Sequence, residues 1–131
     1  MAVKPVPDGY YTVTPYLLVH GVPEFLEFLK SAFGAIEIVR AKGSAGGTHA
    51  DVIIGDSHVM MGDDGKRPTQ PVTIHLYVPD ADALYHRALN AGATSIQPPT
   101  DQPYGDRTAG VTDPFGNTWY LATHIRDVPQ T

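Results

Sequence analysis

Histidine, aspartate and tyrosine supply most of the side chains in this chain that could bind or transform a small molecule. His49 and Asp51 are separated by one residue, so on a strand their imidazole and carboxylate would project from the same face. His75 lies in a second apolar run, with Tyr77 two residues later. If folding brought His75 next to His49 and Asp51, the three side chains could bind Fe(II), Mn(II) or Zn(II). The alternative is a chance grouping, because the 131 residues include six histidines.

The composition excludes several classes of protein. The absence of cysteine excludes disulfides, zinc–thiolate sites and a cysteine nucleophile. The net charge is −5, from nine Lys+Arg against fourteen Asp+Glu, and the basic residues are scattered. We therefore expect no nucleic-acid partner, since affinity for nucleic acid comes from clustered Lys and Arg. No apolar run has the length of a membrane helix or of a signal peptide, so we expect a cytoplasmic protein with no membrane partner.

An internal repeat organises the elements that must position these side chains. Two short extended runs, at residues 14–19 and 73–78, are 59 residues apart. A helical apolar pattern follows each run. The first pattern has Pro23 near its start and Gly34 at its end, and the second ends at Gly92.

The repeat predicts an α+β fold made of two βαβββ modules, because three further short strand patterns follow each helix. A glycine-rich turn at residues 43–47 separates two of them in the first half. Each module is too small to bury its sheet alone, so we expect the two to share a core, within one chain or between two chains. The predicted boundaries are a tail at 1–11, module 1 at 12–62, a linker at 63–71, module 2 at 72–124 and a tail at 125–131.

Alternation along the strands divides the side chains between two faces. In the runs at residues 14–19 and 73–78, one alternate set is apolar, and we expect it to face the covering helix. The other set carries rings and polar groups suited to lining a small-molecule cavity. This second set comprises Thr14, Tyr16, Thr73, His75, Tyr77 and Tyr120, with His49 and Asp51 if they share that face.

The loop at residues 100–107 adds a ring and a guanidinium. Tyr104 could close over a ligand, and Arg107 could bind a carboxylate or phosphate. We favour the alternative that Arg107 pairs with Asp106, Asp101 or Asp113 and braces the loop. Trp119 has two interpretations, core packing or stacking on a ligand. The predicted ligand-binding set is Tyr16, His75, Tyr77, Tyr104, Arg107, Trp119 and Tyr120.

Five ordered motifs resemble the vicinal oxygen chelate superfamily, which includes glyoxalase I, bleomycin-resistance proteins and extradiol dioxygenases. They are Thr14-Pro15-Tyr16-Leu17, residues 28–35, residues 49–56, Tyr104-Gly105-Asp106-Arg107 and Asp113-Pro114-Phe115-Gly116-Asn117-Thr118-Trp119. The chain looks most similar to the small bacterial glyoxalase/bleomycin-resistance-like branch. The resemblance implies a curved mixed sheet around a half-open cavity, helices on the outer face, and a homodimer.

Metal-dependent members of this superfamily place a His, Glu or Gln ligand on each of four strands. The residues that align with those positions provide no usual ligand for a divalent transition metal. They are Thr14, Met61 (or Met60 if the alignment slips by one), Thr73 and Tyr120. We therefore expect no metal and no other cofactor, with the group of His49, Asp51 and His75 as the alternative metal site.

The resemblance favours a metal-independent binding protein over an enzyme. It implies a protein similar to bleomycin-resistance proteins, which sequesters an aromatic or antibiotic-like ligand. The acidic net charge would suit a cationic ligand. The alternative is a glyoxalase-like lyase or isomerase, or a dioxygenase, that uses a divalent metal as a Lewis acid.

Overall fold

A computed structural model describes residues 3–43, 46–66 and 68–129. Residues 44 and 45 of the predicted glycine-rich turn, residue 67 of the linker and the outermost residues of both tails lie outside these ranges. The elements in chain order are β1 (Tyr16–Leu18), α1 (Val22–Phe33), β2 (Ile36–Lys42), β3 (Thr48–Ile54), β4 (Ser57–Gly62), β5 (Thr73–Tyr77), α2 (Ala81–Asn90), β6 (Thr94–Asp101), β7 (Asp106–Thr112) and β8 (Thr118–His124).

Each half of the chain forms a four-stranded mixed sheet. Sheet A has the order β1-β4-β3-β2 and sheet B has the order β5-β8-β7-β6. In both sheets the first strand runs parallel to the last, and the other neighbours are antiparallel. This confirms the predicted α+β fold of two βαβββ modules. In the described ranges, no strand of sheet A pairs with a strand of sheet B.

Both helices begin and end at residues suited to those positions. Before α1, Gly21 has a φ of 77°, and Pro23 lies in the first turn, where its missing N–H leaves no bond unmade. Gly34 ends α1 with a φ of 68°, a left-handed conformation that glycine adopts without strain. Asp80 caps α2 by accepting a hydrogen bond from the Ala83 N–H at 3.1 Å. Among the described residues, no helix has the length and apolarity needed to cross a membrane.

The two modules share one core through their helix sides. Phe33 of α1 packs against Trp119 of sheet B, with ring centroids 4.9 Å apart. Phe25 contacts Phe115 edge-on at 5.0 Å. Arg87 of α2 donates a hydrogen bond to a carbonyl at the end of α1. The opposite faces of the two sheets therefore point away from each other, and the core is shared within one chain.

Candidate ligand-binding site

Sheet A has a face that turns away from the helices, called here open face A. The alternate side chains of the same strands point the other way, into the core, and Leu17, Ala50 and Met61 among them are at most 1% exposed. Met61 is therefore a core residue, and the alternative alignment, Met60, is the one that reaches the open face. Open face A consists of Tyr16, His49, Asp51, His58 and Met60.

A glycine allows the ring of Tyr16 to lie against open face A. The Tyr16 hydroxyl is 3.2 Å from Nδ1 of His49, and the two rings stack at 5.7 Å. A Cβ atom on Gly62 would collide with the Tyr16 hydroxyl and lie 3.2 Å from its Cζ. Gly62 therefore creates the space in which the ring lies, and the Tyr16 residue remains 50% exposed.

A buried carboxylate anchors the N-terminal segment to open face A. Asp51 is 3% exposed and lies 2.9 Å from Nδ1 of His58. Tyr10 donates a hydrogen bond from its hydroxyl to Asp51, and its ring stacks on His58 at 3.7 Å. The pKa of Tyr10 is raised, first because its hydroxyl hydrogen-bonds to the carboxylate and then because of burial.

The sequence-based prediction missed both partners of Asp51. Strand alternation places His58 on the same face as Met60, so a stricter use of that pattern would have found it. Tyr10 lies in an irregular segment, 41 residues from Asp51 in sequence, and no local pattern marks it.

Sheet B has a matching outward surface, called here open face B, consisting of Thr73, His75, Tyr77, Thr118 and Tyr120. His75 and Tyr120 are neighbours on adjacent strands. A Cβ on Gly110 would lie 3.0 Å from Cε1 of Tyr120, so this glycine also makes room for a ring laid against the sheet. The rings of His75 and Tyr77 are 4.8 Å apart. Of the predicted ligand-binding set, the structure brings Tyr16 to open face A and three residues to open face B, namely His75, Tyr77 and Tyr120.

A second buried carboxylate lies at the end of open face B. Asp106 is 3% exposed and accepts a hydrogen bond from the Tyr77 hydroxyl at 2.7 Å. Nδ1 of His124 is 2.8 Å from Asp106, and its Nε2 is 2.7 Å from Asp127. The pKa of Asp106 is lowered, first by the His124 hydrogen bond and then by that of Tyr77. The pKa of His124 is raised, first by Asp127 and then by Asp106.

Arg107 is held by carboxylates of its own chain. Its Nε and Nη2 bind the two oxygens of Asp82 at 2.7 and 3.0 Å, and its Nη1 binds Asp101 at 2.9 Å. These bonds raise its pKa above the already high ordinary value, Asp82 contributing most. The geometry matches the loop-bracing interpretation, with Asp82 as a partner that the sequence-based prediction missed. Tyr104 of the same loop is 57% exposed.

Trp119 lies on the core side of sheet B. It is fully buried, its indole N–H donates to Asp113 at 2.8 Å, and its ring packs against Phe33. Because adjacent residues of a strand point to opposite faces, Trp119 cannot share open face B with Tyr120. The structure therefore supports core packing for Trp119 and does not support its stacking on a ligand at the open face.

The comparisons with known proteins assign the family. Residues 11–121 match the model of the Glyoxalase/Bleomycin resistance protein/Dioxygenase superfamily. The chain belongs to this superfamily. It is 41% identical over 129 residues to an uncharacterized protein of Mycobacterium bovis, covering 88% of this chain and 85% of that protein. An uncharacterized protein of Mycobacterium tuberculosis strain H37Rv has the same identity, with 88% and 76% covered.

Solved structures share this fold. The crystal structure of TioX from Micromonospora sp. ML1 has a TM-score of 0.74 and 25% identity, covering 88% of this chain and 99% of that one. A superfamily enzyme from Burkholderia phytofirmans PsJN has a TM-score of 0.68 and covers 86% and 97% of the two chains. Its identity is 17%, so that likeness concerns the fold alone.

The side chains at the superfamily's metal-ligand positions do not fit a divalent transition metal. Thr14, Met60, Thr73 and Tyr120 offer hydroxyl groups and one thioether, without an imidazole or carboxylate among them. Within one chain the alternative group is also separated, because His49 and Asp51 are on sheet A and His75 is on sheet B. In residues 3–43, 46–66 and 68–129, no three His, Asp or Glu side chains are placed to bind one ion.

Proposed function

We propose that this protein binds a planar aromatic small molecule, without a metal, between open face A of one copy and open face B of a second copy. The observation that carries the proposal is the paired arrangement of Tyr16 over Gly62 and Tyr120 over Gly110. In both sheets a missing side chain leaves room for a tyrosine ring against the strands. Rings held in this way present flat surfaces on which an aromatic ligand can stack.

The back-to-back packing of the modules supports a dimer. Open faces A and B of one chain point away from each other, so a ligand enclosed by both needs a second chain. The faces and their edges expose large apolar side chains, including Ile36 at 62%, Tyr77 at 67% and Ile96 at 48%. Exposed apolar surface of this kind favours association. A two-fold axis would pair A with B twice and create two equivalent sites.

The charges on the open faces favour a ligand that donates hydrogen bonds or carries positive charge. Asp51 and Asp106 are buried carboxylates at these faces, each already hydrogen-bonded within the chain, so attraction of a cation rests mainly on the net charge of −5. Arg107 is already paired with carboxylates and adds little attraction for an anion. A protein of this kind would act in the cytoplasm by sequestering an aromatic or antibiotic-like compound, thereby conferring resistance to it.

Titration with proflavine, a planar cation, tests the proposal. We expect binding that survives EDTA and that weakens about tenfold in Tyr16→Ala and in Tyr120→Ala, because each variant removes a stacking surface. Tyr85→Phe is the control, since Tyr85 is a buried residue of α2 that lies outside both open faces and donates its hydroxyl hydrogen bond to Ser95. The proposal is wrong if proflavine binds equally to all four proteins, or if the chelator abolishes binding. Sedimentation velocity at micromolar concentration should give a dimer, and a monomer would contradict the proposed arrangement.

A further inference from the structure

The N-terminal segment, residues 3–13, contacts open face A mainly through Tyr10. Residues 3–9 and 11–13 are exposed, whereas Tyr10 is partly buried between the segment and the sheet. Among the described residues, the other hydrogen bonds of the segment are internal to it, such as Lys4 with Asp8 and the Tyr10 N–H with the Pro7 carbonyl. A single tyrosine side chain therefore provides most of the polar attachment of this segment to the sheet.

The surface beneath Tyr10 has two features that together recognise a phenol. The His58 imidazole forms a flat wall, and the Tyr10 ring lies against it at 3.7 Å with 19° between the planes. Asp51 uses Oδ1 for His58 and Oδ2 for the Tyr10 hydroxyl. Because Asp51 is buried, any group replacing Tyr10 must offer an O–H or N–H donor or leave a carboxylate oxygen without a partner.

The surface beneath Tyr10 is continuous with the rest of open face A. Met60 is the register neighbour of Tyr16 on one side and of Asp51 on the other. Two strand spacings separate Tyr16 from Asp51, a distance of about 10 Å that a fused aromatic ligand can span. A cleft of about 560 Å³ adjoins this surface and is lined by residues of the N-terminal segment together with Thr14 and Met60.

We infer that Asp51 and His58 form a subsite for a hydroxyaryl group of the ligand, and that Tyr10 is its intramolecular occupant. The ligand's phenol ring displaces Tyr10 and stacks on His58. Its hydroxyl group then donates a hydrogen bond to Asp51. This inference rests on the proposed function, since it names the kind of ring that enters open face A. Tyr10 then competes with the ligand for the subsite. The ligand's apparent dissociation constant rises as the fraction of molecules with an empty subsite falls.

The experiment uses p-cresol, which is the tyrosine side chain as a free molecule, with toluene as the control that lacks the hydroxyl. Calorimetric titration of the full chain compares wild type with Tyr10→Ala, Tyr10→Phe and Tyr11→Ala. We expect p-cresol to bind Tyr10→Ala about tenfold more tightly than wild type or better, because the charge-assisted bond of the competitor is gone. The affinity of Tyr10→Phe for p-cresol should fall between those of wild type and Tyr10→Ala. Tyr11→Ala should bind p-cresol as wild type does, because Tyr11 is 69% exposed.

Two results would overturn the inference: equal affinity of p-cresol for Tyr10→Ala and wild type, or toluene binding to Tyr10→Ala as tightly as p-cresol. The toluene comparison tests the role of Asp51 without changing that residue, so it does not depend on whether a variant at Asp51 folds. The outcome is separable from that of the proposed function. Proflavine binding that depends on Tyr16 and Tyr120, without a gain of p-cresol affinity in Tyr10→Ala, would refute the subsite alone. A gain for p-cresol without proflavine binding would refute the proposed function.

Discussion

Replacing Asp113 with alanine tests how the second module holds β8, the strand that carries Tyr120. Asp113 is 4% exposed and lies in the turn between β7 and β8. One carboxylate oxygen accepts the backbone N–H groups of Phe115 and Asn117 at 2.7 and 3.0 Å. The other accepts the Asn117 side-chain amide at 3.2 Å and the Trp119 indole N–H at 2.8 Å. The carboxylate of Asp113 thus accepts four hydrogen bonds.

The expected loss of stability is large because alanine leaves these donors without an acceptor. Trp119 is fully buried and Asn117 is 1% exposed, so water cannot readily replace the carboxylate. Each buried donor left unsatisfied costs about 1–3 kcal/mol. We expect Asp113→Ala to lower the free energy of unfolding by about 4 kcal/mol, a substantial part of the roughly 5–15 kcal/mol of a typical domain.

Urea unfolding measures this loss directly, because Trp119 is the only tryptophan and reports on the same turn. Asp113→Asn should lose less, since its amide oxygen can still accept part of the network. Asp8→Ala is the control, because Asp8 is exposed and pairs only with exposed Lys4 among the described contacts, and it should change stability by less than about 0.5 kcal/mol. A loss below about 1 kcal/mol in Asp113→Ala would refute the reasoning, because three buried donors and one partly buried donor cannot be left unsatisfied at that cost.

Three further predictions concern the glycine under Tyr16, the loop arginine and the pH dependence of stability. Gly62→Ala should displace the Tyr16 ring and weaken proflavine binding by roughly fivefold in titrations, because the new Cβ collides with the ring. Arg107→Lys should lower the unfolding free energy in urea only slightly, because both side chains of the bidentate pair are more than one-third exposed. The raised pKa of His124 stabilises the fold below about pH 6.5, and this stabilisation is lost as pH rises through the folded pKa. The lowered pKa of Asp106 gives the opposite loss below about pH 4, so His124→Asn should flatten the dependence of the urea midpoint on pH at both ends.

Strand alternation predicted, for much of this fold, which side chains face the helices and which lie on the opposite face of each sheet. The repeat and the two helix stops at Gly34 and Gly92 were sufficient to define two βαβββ modules, because glycine and apolar periodicity act locally. Alternation also assigned Tyr16 and His75 to the faces opposite the helices. The motif alignment, by contrast, was one residue off in β4: it put a superfamily ligand position at Met61, which lies in the core, whereas the alternative Met60 reaches the open face.

The polar networks could not be predicted in the same way, because they join residues that are distant in sequence. Tyr10 reaches Asp51 across 41 positions, and Arg107 reaches Asp82 across 25. No periodicity records such contacts, which depend on how the loops and the tail pack on the finished sheets. The direction in which the two open faces point depends likewise on packing between the helices, which the pattern of one module does not contain.

A mixed dimer tests the central proposal most directly, namely that each site joins open face A of one copy to open face B of another. Tyr16→Ala and Tyr120→Ala chains carrying different affinity tags are co-expressed, and the heterodimer is purified and titrated with proflavine. In that heterodimer one site would have both tyrosines intact and the other would have neither. The proposal predicts one site per dimer with wild-type affinity, although both parent homodimers bind weakly. A heterodimer that binds no better than its parents would contradict it.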